Sequence, residues 1–574
     1  MKKIEIKLCI GKPDDGSRNF GRSEFKPYPA SFSRFVLPFA YQMVPQEYVG
    51  NDPPQLFYEC HDTKNLSFTK RRKYLSRETG TILYDRSLWL GLSSHWHDTP
   101  WGRGNVTVHL RGRDLLLGML PPRMVLFEAK DAFGHQGGDQ QQNHLSVLKT
   151  GFLSVDLYFP EQGQSPELDD LLLLNEYFRY FGMPYDEHPD RFKKMLGNIP
   201  VTYSDTPPKK MADFDKTDSN FQNDASGQQL KNFRYYFERW ANLLELPVKY
   251  EQNYYRFFPD NWSENARNLS YNTGTATYDS NWQILDDNRT VVWTAAYLED
   301  GGKTLQKVFK PQDATEGKPL AAKQYGHWLK LLNIDEPAPD SEIRSHQSVT
   351  DFEGDWLDAR TYKRWESSGT WYGFSYHSGA VLDRVKEGTS YSFAPFSSYY
   401  FDGALLLLYI RMSLFRFSAG LTQAVRQDKN EGTMRKQFRK IREEFLKFTI
   451  LYQFPLLSNQ QQNLEMYALN RHFFEIDDFF KEIKQEIDNM HDFLESVESN
   501  NLAEAAKKLT GWGLPLGAAG VSATILQWLC DFNIPYCWEN ECSFDWDAFI
   551  KFGIITVVSL VVWLIVNHRQ PKGE

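Results

Sequence analysis

A chain of 574 residues with 41% hydrophobic side chains and a mean hydropathy of −0.55 is mostly a soluble protein, so any membrane part is a minority of it. Its net charge of −9 argues against a dedicated nucleic-acid binder. Five cysteines, with Cys9 and Cys60 isolated, supply no metal-finger framework in the body, and Met1–Ile10 is too broken by charge to hold a signal-peptide core.

From residue 1 to about 400 the pattern is mixed α+β. β-branched content and alternation predict strands at Ile4–Ile10, Thr81–Tyr84, Val106–Leu110, Arg123–Phe127, Phe152–Phe159, Thr290–Leu298 and Thr370–Tyr376. Helical periodicity marks Glu167–Phe181, Gln228–Leu246 and Lys323–Leu332. The polar, turn-rich stretch 202–228 reads as a loop or linker and a candidate lobe boundary.

Few constellations in this part carry chemistry. Lys70, Arg71, Arg72 and Lys73 form a basic run that could meet phosphates of a nucleotide or a lipid headgroup, against the plainer reading of a solvated face. Gly301-Gly-Lys-Thr304 lacks the first glycine of a phosphate-binding loop, with Tyr297 in its place. Gly373–His377 lacks the last glycine of a nucleophile elbow, and His95 and His97 have no third ligand placed by sequence. No catalytic set stands out, so the chain is expected not to be an enzyme.

Near Asp402 the character changes. Asp402 can cap a helix through Ala404–Ile410, whose apolar run is cut short by Arg411 and Arg416. A second helix spans Thr433–Phe454. Then Met466, Leu469, Phe473, Ile476, Phe480, Ile483, Ile487, Met490, Leu494 and Val497 recur at steps of three and four, a heptad seam. It predicts one helix from Asn459 to Asp531, roughly 110 Å long.

Two apolar segments close the chain, 511–531 and 549–567, uncharged over Gly511–Leu529 and Phe552–Val566 and each near the roughly 20 residues needed to cross a bilayer. Between them, 532–548 forms an acidic loop with Glu539, Glu541, Asp545 and Asp547. Lys507 and Lys508 precede the pair, and the basic tail 568–574 follows it. The positive-inside rule then places both termini in the cytoplasm and the acidic loop outside. There Cys537 and Cys542 can pair as a disulfide or remain free thiols. In the first segment Gly513, Gly517, Gly520, Thr524, Gln527 and Asp531 fall on one helical face. That stripe reads either as tight helix packing or as a wet conduit. The rise in polarity toward an acidic mouth favours the conduit, which needs several copies of the chain.

This C-terminal part, with 445–455, the stalk 464–497, Leu509-Thr510 and the basic tail, resembles the CorA family of divalent-cation transporters over roughly 130 residues. The resemblance implies an α+β cytosolic domain (1–400), a helical stalk (401–510) and two C-terminal transmembrane helices, assembled as a homopentameric funnel in the cell (inner) membrane. It implies no cofactor beyond a divalent cation such as magnesium, permeant or regulatory. The family's Gly-Met-Asn signature is absent; Leu529–Asn533 stands there, leaving Asp531 and Asn533 as candidates for an outer polar ring. Divergent relatives lacking the signature act as membrane effectors of type III CRISPR antiviral systems. They imply gating by a nucleotide second messenger, with no direct nucleic-acid partner. The alternative is an anchored sensing or binding protein that conducts nothing.

Overall fold

The computed structural model describes residues 6–10, 30–44, 57–59, 71–92, 104–110, 113–120, 122–130, 149–160, 165–179, 200–203, 231–232, 248–250, 253–256, 290–299, 323–335, 351–385, 390–427, 431–452, 457–532, 550, 553–554, 557 and 561. Two compact units result, Met1–Ile483 and Lys484–Glu574.

In the first unit the described strands join one sheet. They are β1 (Phe32–Val44), β2 (Phe57–Glu59), β3 (Leu88–Leu92), β4 (Gly104–Leu110), β5 (Arg113–Met119), β6 (Arg123–Leu126), β7 (Lys149–Tyr158), β8 (Pro200–Tyr203), β9 (Lys231–Asn232), β10 (Val248–Tyr250), β11 (Asn253–Arg256), β12 (Val291–Leu298), β13 (Thr361–Tyr362), β14 (Thr370–Phe374) and β15 (Ser378–Arg384). The helices are α1 (Arg77–Gly80), α2 (Leu168–Phe178), α3 (Lys323–Asn333), α4 (Asp351–Arg360), α5 (Phe393–Ser397), α6 (Tyr399–Gln427), α7 (Glu431–Tyr452), α8 (Gln461–Phe473) and α9 (Ile476–Phe532).

The centre of the sheet is β1. It pairs antiparallel with β7 from Phe32↔Tyr158 to Tyr41↔Lys149, and with β12 from Phe32↔Ala295 to Val36↔Val291. Pro38, which lacks an N–H for a ladder, falls beyond the β12 pairing and before the β11 pairing that starts at Gln42. β12 and β15 run parallel, and α3 and α4 lie in the connection between them.

At β1 and β12 both faces of the sheet are covered. On β1, Ser33 and Phe35 point to α2: Ser33 Oγ donates to Asn175 Oδ1 at 2.5 Å, and the Phe35 and Phe178 rings lie 5.6 Å apart. The alternate residues face the other way, Phe32 toward Phe393 at 6.4 Å and Arg34 over the Phe401 ring at 4.2 Å. Trp293 of β12 stacks on Phe396 at 4.5 Å and donates from Nε1 to its carbonyl at 2.9 Å. That stack needs Gly379 on the neighbouring strand, because a Cβ there would sit 2.2 Å from the indole ring.

α6 is the core helix, buried without interruption from residue 401 to 414. Among the described residues, Phe393–Thr422 is the stretch long and apolar enough to cross a membrane, yet 72% of its apolar window is buried inside the protein. Its apolarity serves packing, as in the stack of Tyr409 on Phe127 at 4.2 Å.

Several expectations change. Thr81–Tyr84 is not a strand; α1, capped by Ser76, runs into a π-helix, Thr81–Arg86, which turns Tyr84 inward. The described residues 6–10 hold only isolated bridges, Lys7↔Glu167 and Leu8↔Leu298. Within the expected helix 228–246, Lys231–Asn232 is strand β9, and 233–246 lies outside the described residues. Of the expected linker, Thr202 and Tyr203 end β8, and strands from both sides of it share the sheet. Compact units divide at Ile483 rather than near 400, because α6, α7 and α8 pack with the body. The helix expected from Asn459 to Asp531 is broken: Phe474 ends α8, Glu475 takes a left-handed φ of 56°, and α9 starts at Ile476. The turn lets Phe473, Phe474 and Ile476 all reach buried positions.

Candidate functional site

In the second unit the sequence-predicted stripe lies on the helical backbone of α9, which continues past Pro515 to Phe532. Gly513, Gly517, Gly520, Thr524, Gln527 and Asp531 follow one another there at steps of four and three residues, the spacing of a single helical face. In the last segment Ile550, Ile554, Val557 and Val561 are helical at the same spacing, and all four are exposed aliphatics. Asn533, Glu539, Glu541, Asp545, Asp547, Cys537 and Cys542 lie outside the described residues, as does Lys70.

In the first unit, the basic run is divided among three tasks. Arg71 Nη1 lies 3.4 Å from Asp402 Oδ1, Arg72 makes a two-pronged pair with Asp85 at 2.7 and 2.6 Å, and Lys73 is exposed. A phosphate approaching Arg71 therefore competes with a carboxylate of the chain itself. Asp402 has no exposed surface and also accepts from the Tyr84 hydroxyl at 2.6 Å. Burial, then the Asp402 charge, pushes the Tyr84 phenol well above its usual range. Nearby, Arg34 holds Asp156 through Nε at 2.6 Å and Nη2 at 2.7 Å, with Nη1 on the Ser397 carbonyl at 3.3 Å. Asp402, expected as a helix cap, is instead inside the first turn of α6, tying it to Arg71 and the π-helix. The signal for this was legible: a carboxylate leading the run Ala404–Ile410 needs a cation when that run is buried.

Two more carboxylates sit among hydrogen-bond donors, Asp383 buried and Glu128 half-buried. Asp383 accepts from Ser392 at 2.6 Å, from Thr370 at 2.7 Å and from Ser390; burial raises its pKa, and these donors offset part of the rise. The buried Cys9 thiol is pushed up to about 12 by burial, then by Glu299 and Asp383, so it stays protonated. Glu128 has a left-handed φ of 61° and accepts from the Tyr452 hydroxyl at 2.7 Å, while Lys149 donates to its carbonyl oxygen at 2.7 Å. Burial alone would raise the Glu128 pKa, but Arg416, Tyr452 and Lys149 together hold it below the ordinary value.

Chemistry beyond these pairs is sparse. Ser375 donates to the Leu332 carbonyl at 2.9 Å in a strand and turn, so the Gly373–His377 stretch forms no nucleophile elbow. Among the described residues no three His, Cys, Asp or Glu side chains gather so as to hold a metal ion. A cavity of about 10 Å³ between α6, α8 and β14, bordered by Tyr400, Asn463, Met466 and Asn470, has room for a water molecule but not a nucleotide. No protein-family model, no curated protein and no solved structure matches this chain.

Proposed function

We propose that the protein is an oligomeric membrane ion pathway in which 511–531 lines the conduit, 549–567 faces lipid, and the α/β body gates it. The observation that carries this reading is the glycine, threonine, glutamine and aspartate stripe on the unbroken backbone of α9. The exposed row of Ile550, Ile554, Val557 and Val561 supports a lipid-facing role for the last segment. By the CorA resemblance, divalent cations are the first candidates for the permeant ion, and a nucleotide second messenger for the gating ligand. The test is cation flux through the full chain reconstituted in vesicles. Asp531→Ala and Gln527→Leu are each expected to change it; unchanged flux in both, with the protein embedded, would sink the conduit.

A second reading, an anchored sensing protein that conducts nothing, has an observation of its own. The first part of the heptad seam is used inside the chain: Phe480 meets Phe445 at 5.4 Å, and Ile476 and Ile483 are buried. Those positions are not open to a coiled coil with other copies. This reading predicts no current under any ligand, and tolerance of an unrelated hairpin in place of 511–567.

A further inference from the structure

α7 uses one face for the core, where Phe438, Phe445, Phe448 and Tyr452 are buried, with Phe445 and Phe448 against Phe417 at 5.3 and 5.4 Å. The opposite face is unusual for a chain of net charge −9. Lys436, Arg439 and Lys447 are exposed along it, with Leu446 60% and Ile450 72% exposed at the same end. The steps 436, 439, 443, 446 and 450 keep to one stripe, and the exposed Glu443 is the acidic residue within it. Lysine stems and aliphatic side chains below a row of cations match a bilayer boundary, where phosphates meet acyl chains.

We propose that this outer face of α7 docks on an anionic lipid bilayer, Lys436, Arg439 and Lys447 meeting headgroup phosphates and Leu446 and Ile450 entering the acyl boundary. The proposal rests on the membrane reading above and adds a second, reversible contact to it. Each cation near an anionic surface favours the docked state by about fivefold, so the three together supply about a hundredfold.

The test uses the full chain in phosphatidylcholine vesicles with and without phosphatidylglycerol. A nitroxide is placed through Ile450→Cys, with the signal of the identically treated parent chain subtracted. In anionic vesicles the label is expected to be open to oxygen and closed to a water-soluble nickel chelate, and in neutral vesicles the reverse. Lys436→Glu, Arg439→Glu and Lys447→Glu combined should return it to water in anionic vesicles, the docked-to-undocked ratio falling about a hundredfold or more. A label that stays open to nickel in anionic vesicles overturns the proposal. So does one shielded from both reagents in detergent as well, since a second copy then covers the face. Alkaline carbonate extraction afterwards reports separately on the embedded hairpin; the label, read before extraction, decides docking in either case.

Discussion

Tyr84 reaches from a π-helix to place its hydroxyl 2.6 Å from Asp402, a carboxylate with no exposed surface, across 318 residues of chain. Because Arg71 completes the cluster at 3.4 Å, this one carboxylate fastens the start of the core helix to the segment 71–86. Tyr84→Phe removes a hydrogen bond to a charged group and should cost about 2 kcal/mol. Asp402→Ala removes the buried acceptor that Tyr84 and Arg71 share and should cost more, about 3–5 kcal/mol. Chemical denaturation of the two variants checks the order, and equal costs would contradict the picture of a charged hub.

Two hydrogen-bonded carboxylates should bend the pH profile in opposite senses. Glu128 is depressed in the folded state, so its contribution is present above the ordinary 4.5 and is lost as pH falls through the lower folded value. Asp383 is raised, so its contribution is complete below 3.8 and is lost as pH rises through the higher folded value. Glu128→Gln should therefore flatten the acid limb of unfolding free energy against pH. Asp383→Asn should remove a decline just above it. The measurement is denaturant unfolding from pH 3 to pH 7, about the span over which such groups titrate.

The Trp293–Gly379 contact gives a packing test. Gly379→Ala would set a methyl 2.2 Å from the indole ring, near the start of the parallel β12–β15 pair, where Gly379 is registered against Trp293 itself. Overpacking of this kind costs roughly 1–3 kcal/mol. Adding Trp293→Phe shortens the obstructing ring, so the double variant should recover part of the melting temperature that the single one loses. A double variant losing the sum of both would show that the glycine is needed for another reason.

How much of this was legible follows from which faces are covered. β4 and α2 were readable, one from alternation and the other from a helical period beginning at the Glu167–Asp170 capping box. β1, the longest of the described strands, was missed. With α2 on one side and α5 and α6 on the other, Phe32, Phe35, Val36 and Leu37 are all buried, so no alternation is left to read, and Pro38 argued against a central strand. The left-handed Glu475 had no glycine to announce it, so the seam read as one helix across the break. Arg71 and Arg72 looked like a free basic run because Asp402 and Asp85 become their partners only through tertiary contact.

The order of strands in the sheet has a cost during synthesis. β1 leaves the ribosome among the first structured segments, yet one flank waits for Leu153 and Tyr158 and the other for Val291 and Ala295. At roughly 5–20 residues per second, the second wait is on the order of ten to fifty seconds. Throughout it, the backbone donors and acceptors of Phe32–Val36 on the β12 side have no partner strand. A chain truncated ahead of residue 291 never receives that strand and keeps the edge open.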